Sequence, residues 1–220
     1  MDGWEHGRSA LAGIEVGDGA GLSRADVLLK GALGAGVLYG LGAVAPYVRT
    51  ALAAEKKKDV DVLGYLLPFE YLQASIYNRG STEKNDYGEK MSLEDNKPLV
   101  QALLSEEGQH ITALAELIEE LGGKPPAKGE YAFAFRSLEV FLQMSAEIEG
   151  FAIGAYNGAI ASLESQAARE LAASIVQVEG RHEATLRIAA GEPPAPQAVD
   201  PGVSEDVAIN AVGRFTGVFS

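Results

Sequence analysis

Two of the three histidines in this 220-residue chain sit in the same setting, three residues after a glutamate: Glu107-Gly108-Gln109-His110 and Glu179-Gly180-Arg181-His182. On an α-helix, residues three apart lie on one face about one turn apart. Each pair can therefore offer a carboxylate oxygen and an imidazole nitrogen to one metal ion. A solvated Glu–His surface pair has the same spacing. The two readings separate on whether the rest of the chain builds a site around the pairs.

Apolar periodicity predicts four helices that carry these residues. The first covers about Asp59 to Asn78, with Leu63, Leu66, Leu67, Glu70, Ala74 and Tyr77 on one face and Glu70 its single charge. Pro68 inside it predicts either a kink beside Glu70 or a regular part that begins near the proline. The second starts near Asn96, a good cap, with Pro98 in its first turn. Its stripe is Val100, Leu103, Leu104, Glu107, His110, Leu114, Leu117 and Leu121, and Gly122-Gly123 with Pro125-Pro126 ends it. Glu106 falls to one side of that stripe, with Gln109, Ala113 and Glu120, and reads as solvated. The third covers about Phe135 to Leu163, where Leu138, Leu142, Ser145, Glu149, Ile153, Tyr156, Ile160 and Leu163 share a face; Glu147 points nearly the opposite way. The fourth runs from about Ser165 to Ala190 with Leu171, Ile175, Glu179, His182, Leu186 and Ala189 as its stripe, stopped by Gly191 and Pro193-Pro194.

The two halves echo each other. Each is a helix with a lone inward Glu followed by a helix with Glu-x-x-His, 40 residues from Glu70 to His110 and 33 from Glu149 to His182. Four such helices bury their stripes as an antiparallel bundle. That burial brings four carboxylates and two imidazoles to one interior. Buried unpaired carboxylates cost several kcal/mol each, about enough to demand a neutralising partner. Two divalent cations balance four carboxylates, and the histidines bind as neutral ligands. One Glu from each of two helices plus Glu-x-x-His from each of the other two is the set that holds paired iron or manganese in helical bundles. Glu70 and Glu149 are then terminal ligands, and Glu107 and Glu179 bridge. Hard oxygens with imidazole suit iron or manganese and admit zinc. Tyr77 and Tyr156 lie two turns on from Glu70 and Glu149 on the same faces. They read as core tyrosines with satisfied hydroxyls or as hydrogen-bond or redox partners of the ligands.

A formal net charge of -13 argues against nonspecific nucleic-acid binding and suits a protein that handles cations. The chain has no cysteine, which removes disulfides, thiolate ligands and thiol catalysis. Residues 1–22 are Gly-rich and aperiodic and read as disordered. Residues 31–48 form an uncharged apolar run, followed by Ala51-Leu52-Ala53, which has the form of a signal cleavage site. Ser23-Arg24-Ala25-Asp26-Val27-Leu28 resembles a twin-arginine export signal with Ala25 in place of the second arginine. The expected organisation is a leader over 1–53, a helical domain over 54–191, and a Pro-rich tail over 192–220. In that tail Ser204 to Phe215 forms a short helix packed through Val207 and Val212. The leader predicts export to the periplasm or cell envelope, with membrane association through residues 27–53. An uncleaved anchor, or a cytoplasmic protein with an N-terminal helix packed on the body, is the alternative.

The chain resembles the ferritin-like superfamily, most closely the branch with desiccation- and stress-associated bacterial members. The resemblance spans about residues 59–215. Its carriers are Phe69-Glu70-Tyr71-Leu72 with Tyr77, Glu107-Gly108-Gln109-His110 running into Leu121-Gly122-Gly123-Lys124-Pro125, Glu149 followed by Ala155-Tyr156-Asn157-Gly158-Ala159, and Val178-Glu179-Gly180-Arg181-His182. It implies a ferritin-like four-helix bundle with a dinuclear metal site, and the spacing from Glu149 to Ala155-Tyr156 favours Glu149 over Glu147 as ligand. Three functions follow as expectations: a ferroxidase-like oxidoreductase acting with dioxygen or peroxide, a noncatalytic metal-sequestering stress protein of the envelope, or a structural bundle with zinc or an empty site. A monomer or homodimer is the expected assembly.

Overall fold

The computed structural model describes residues 46–85 and 88–216. Five helices account for most of them: α1 (Pro46–Ser81), α2 (Lys97–Glu120, entered through a 3-10 turn at Glu94–Asn96), α3 (Leu138–Ile160), α4 (Gln166–Ala189) and α5 (Glu205–Gly213). Among the described residues the only extended pairing is two isolated bridges, Lys84 with Lys90 and Tyr131 with Thr216. α1 packs on α2 and α3 on α4, and α1 meets α3 across the bundle. Contacts run in reversed order between facing helices: Tyr77 reaches Glu149 while Tyr156 reaches Glu70. That order makes α1 and α3 antiparallel. Glu106 with His182 and His110 with Glu179 do the same for α2 and α4. The fold is the antiparallel four-helix bundle that the periodicity predicts, with a short fifth helix.

Buried positions follow the helical period. α2 buries Val100, Leu103, Glu107, His110, Leu114 and Ile118; α4 buries Ala168, Ala172, Ile175, Glu179, His182 and Leu186. Steps of three and four keep each set on one face. Both helices end in the same motif. Gly122 and Gly191 take positive φ (85° and 77°). The Gly122 and Gly123 amides donate to Glu119 and Ile118 at 2.9 and 2.8 Å, and the Gly191 and Glu192 amides to Ile188 and Arg187 at 3.0 and 2.8 Å. This double bond is a Schellman cap, which needs the left-handed residue that glycine supplies. Ser137 and Ser165 cap the starts of α3 and α4, each hydroxyl accepting an amide three residues on.

Four expectations are corrected. The described part of α1 already runs from Pro46, not from near Asp59, and Pro68 lies inside it rather than at its start. Asp59 is instead a buried cross-brace: its carboxylate accepts the Glu164 and Ser165 amides at 2.7 and 2.8 Å, which anchors the α3–α4 turn on α1. Asn96 makes no side-chain cap bond, because the chain is already helical in the 3-10 turn before it. The tail helix packs through Ala208, Ala211 and Val212, while Val207 is 55% exposed. Val212 is buried as expected, and it is Ala208, about 100° further round the helix, that takes the inward place expected of Val207.

The tail is placed by close backbone approach. The Val203 amide donates to the Gly154 carbonyl at 2.9 Å, and a Cβ on Gly158 would lie 1.9 Å from the Val203 carbonyl oxygen. Only glycine permits that crossing. Residues 1–45, with the Ser23–Leu28 motif and most of the apolar run, lie outside the described residues. Among the described residues no helix is long and apolar enough to cross a membrane.

Candidate metal centre

All six residues singled out by pattern converge in the middle of the bundle. α1 supplies Glu70, α2 Glu107 and His110, α3 Glu149, and α4 Glu179 and His182. The four carboxylates are fully buried, and His110 and His182 nearly so, at 9% and 4% exposure. Glu147 is exposed beside Arg214, so the choice of Glu149 follows the face that α3 turns inward.

Ligand atoms gather in two groups, Glu70, Glu107, His110 and Glu179, and Glu107, Glu149, Glu179 and His182; within each, one atom per residue lies within 4.8 Å of the others. Glu107 and Glu179 belong to both. His110 Nδ1 faces Glu70 Oε2 at 3.1 Å, Glu107 Oε2 at 3.3 Å and Glu179 Oε1 at 3.0 Å. His182 Nδ1 faces Glu107 Oε1 and Glu179 Oε2 at 3.0 Å and Glu149 Oε1 at 3.8 Å. The two imidazoles stack with centroids 6.0 Å apart.

One N–H cannot satisfy three oxygens. Accordingly Glu107 Oε1 and Glu179 Oε1, each 3.0 Å from an Nδ1, lack hydrogen-bond alignment and are buried without a partner. Buried orphaned acceptors are costly. Here both sit on the residues common to the two groups. Four carboxylates, two imidazoles and two orphaned oxygens fit a dinuclear metal site in charge, donor type and spacing.

Burial first, then the neighbouring Glu179 charge, pushes the Glu70 and Glu149 carboxyls well above the usual range. Burial opposes charge on His110, but the close carboxylates of Glu107, Glu179 and Glu70 outweigh it and hold the imidazole up at about 12. The same contest raises His182 to about 10, with Glu107 and Glu179 as partners. Burial also works against Glu179, yet the two imidazoles bring it down to about 2. Burial thus favours the uncharged form of the two outer carboxyls, while the surrounding carboxylates favour the charged form of the two imidazoles.

The tyrosines are wired crosswise. Tyr77, on the helix of Glu70, donates to Glu149 Oε1; Tyr156, on the helix of Glu149, donates to Glu70 Oε1 at 2.5 Å. Burial, then the adjoining carboxylate, raises both phenols, so they remain donors. They are satisfied core hydroxyls and ligand partners at once.

Helical periodicity misses two residues. Gln73 is fully buried; its Nε2 donates to Glu149 Oε2 at 2.6 Å and Glu179 Oε2 at 3.3 Å, and its Oε1 has no partner. Its position, one turn past Glu70, is the signal that could have found it. Glu106, which reads as solvated, is half-exposed, but its Oε2 lies 2.7 Å from His182 Nε2. No single-helix pattern reveals that contact, because it forms only when α4 lies antiparallel beside α2.

An antiparallel four-helix bundle that buries paired Glu-x-x-His motifs against two further glutamates defines a carboxylate- and histidine-lined helical protein fitted to two metals. The model of the ferritin-like domain matches residues 58–192, and the chain belongs to that family. Among solved structures it is similar to a ferritin-like diiron-carboxylate protein from Bacillus anthracis str. Ames, at 21% identity and a TM-score of 0.55, over 62% of this chain and 97% of that one. It is also similar to a two-domain protein from Anabaena variabilis with DJ-1/ThiJ/PfpI-like and ferritin-like domains, at 17% identity and a TM-score of 0.50, over 68% of this chain and 42% of that one. At these identities the likeness shows the fold alone. No curated protein matches the chain.

Proposed function

We propose that this protein holds two divalent metal ions, iron before manganese or zinc, and reacts them with dioxygen or peroxide as a ferroxidase-like oxidoreductase in stress protection. The observation that carries the reading is the pair of buried four-residue groups sharing Glu107 and Glu179, each with an orphaned carboxylate oxygen. In this reading Glu70 and His110 hold one ion, Glu149 and His182 the other, and Glu107 and Glu179 bridge. The Bacillus anthracis relative is a diiron-carboxylate protein, which supports the same metal for this chain. When bound, paired iron supplies one-electron chemistry toward dioxygen or peroxide. The chain's own groups do the rest. Tyr77 and Tyr156 hold one oxygen each of Glu149 and Glu70, which fixes the outer carboxylates. The surrounding core excludes bulk water, which strengthens every charge interaction inside it. The imidazoles and outer carboxyls give up protons as cations enter.

Metal analysis of protein purified without added metal, followed by oxygen uptake with ferrous iron, tests the proposal. Two iron or manganese ions per chain with turnover is the expected result. Two ions held without oxygen uptake would assign noncatalytic sequestration instead. Glu107→Ala combined with His182→Ala should abolish metal binding while helical content persists; unchanged stoichiometry would sink the ligand assignment. The placement in the cell envelope rests on the Ser23–Leu28 motif and the apolar run after it. Fractionation of cells producing the full chain checks it, and protein confined to the cytoplasm would overturn it.

A further inference from the structure

The two halves match at every metal-facing residue, and two of the positions where they differ beside them carry, in one half only, a polar group that touches a ligand. Three residues past Glu70 stands Gln73; three past Glu149 stands Ala152. One residue before Glu107 stands Glu106; one before Glu179 stands Val178. Both polar members act on the same side of the site. Gln73 and Tyr77 between them donate to both oxygens of Glu149, and Gln73 reaches on to Glu179. Glu106 faces His182 Nε2 at 2.7 Å. A carboxylate accepts only, so it keeps the proton of the neutral ring on Nε2 and leaves the Nδ1 lone pair turned to Glu107 and Glu179. Across the site, Glu70 has the Tyr156 donor on one oxygen and no amide beside it. His110 has no hydrogen-bond partner at Nε2 among the described residues, so no outer group sets its tautomer from that side.

We infer that Gln73 and Glu106 are positioning residues that make the two metal positions unequal, so that the Glu149–His182 position fills first and the Glu70–His110 position second. This rests on the reading of the cluster as a two-metal site. The physical ground is preorganisation: an outer partner that fixes a ligand's orientation and tautomer is worth about 10–100-fold in metal affinity. The Glu149–His182 position has two such partners that its counterpart lacks. The Glu70–His110 position is consequently the adaptable one, where a ligand can turn as the second ion or another small oxygen donor arrives.

Cobalt(II) titration of the full chain, followed by visible absorption and calorimetry, tests the order. Wild type should take up two ions in resolved steps at least about tenfold apart. The tight step should survive in His110→Ala and vanish in His182→Ala. Glu106→Ala should weaken the tight step by about 10–100-fold and leave the weak step in place, with Glu106→Gln, which retains an acceptor oxygen, restoring most of the loss. Gln73→Leu should likewise weaken the tight step alone. Glu106 is half-exposed, and circular dichroism of its variants confirms that helical content is kept. Uptake of both ions in one step of equal affinity, a tight step lost in His110→Ala instead, or equal weakening of both steps by Glu106→Ala would each overturn the inference while leaving a two-metal site standing. A chain that binds no cobalt would remove the proposed function and this ordering together.

Discussion

Each site imidazole turns one nitrogen toward three carboxylate oxygens, and the protonation of the metal-free protein follows from that crowding. His110 and His182 have folded pKa values above their unfolded ones, as do Glu70 and Glu149. Groups raised on folding stabilise fully below their unfolded pKa, about 6.5 for His and 4.3 for Glu, and lose that contribution as pH climbs through the folded value. The imidazole contribution of the metal-free protein therefore fades between about pH 6.5 and 12, and the carboxyl contribution fades from about pH 4.3 upward. Glu179 runs the other way: depressed to about 2, it stabilises above about pH 4.3 and is lost on acidification toward 2. Cations compete with the protons on the first four groups. Loading two divalent ions at neutral pH should release a measurable number of protons from these groups. Calorimetry in buffers of different ionisation enthalpy measures that number; a value near zero would mean that the ions bind elsewhere. Affinity should rise with pH between about 5.5 and 8, because each lost proton frees a ligand atom.

The helices hold glycine for opposite reasons, open space on α2 and α4 and a backbone crossing on α3, and substitution should separate them. Gly108 and Gly180 follow Glu107 and Glu179, are exposed, and have open space where a Cβ would stand. Gly108→Ala and Gly180→Ala should each stabilise the metal-free protein by about 0.5–1 kcal/mol in chemical denaturation. Gly158→Ala drives a methyl into the Val203 carbonyl and should cost about 1–3 kcal/mol. Asp59→Ala removes two charge-assisted bonds that anchor the α3–α4 turn, a loss of about 3 kcal/mol. Equal effects at Gly108 and Gly158 would contradict this account of the tail. These cases also mark what a sequence can disclose. The helices, their glycine stops and the six convergent residues were legible because a helix face is a local periodic property. Gln73 lay within reach of that reasoning. Glu106, Asp59 and the crossed tyrosines act between helices far apart in sequence, and no period along one helix records which neighbour a side chain meets. The start of α1 is not legible, because the charged run Lys56-Lys57-Lys58-Asp59 interrupts the apolar stripe and the partners of Asp59, the Glu164 and Ser165 amides, lie in another part of the chain.

For the whole molecule, the bundle surrounds its most polar residues with its most apolar ones, and its stability should therefore depend on what occupies the site. Leu63, Leu66, Leu67, Phe69 and Phe141 are fully buried in the same bundle as four carboxyls. Each such side chain contributes about 1.5–3 kcal/mol by burial, and the orphaned oxygens of Glu107 and Glu179 work against it. An ion that binds the folded chain alone adds about 2.7 kcal/mol at a hundredfold excess over its dissociation constant. Two ions add about 5 kcal/mol on that basis. For a domain of this size each kcal/mol moves the melting temperature by about 2–4 °C, so loaded protein should melt about 10–20 °C above chelator-treated protein. The 31 acidic residues of the chain also attract cations weakly when unfolded, which lowers the gain toward the smaller figure. The gap should widen from about pH 5.5 to about pH 8, since the metal-free protein loses its imidazole and carboxyl contribution over that range while metal affinity increases. Scanning calorimetry at the two pH values measures both. Equal melting temperatures with and without metal would separate the buried cluster from metal binding, and a gap that narrows with pH would contradict the protonation assigned to His110, His182, Glu70 and Glu149.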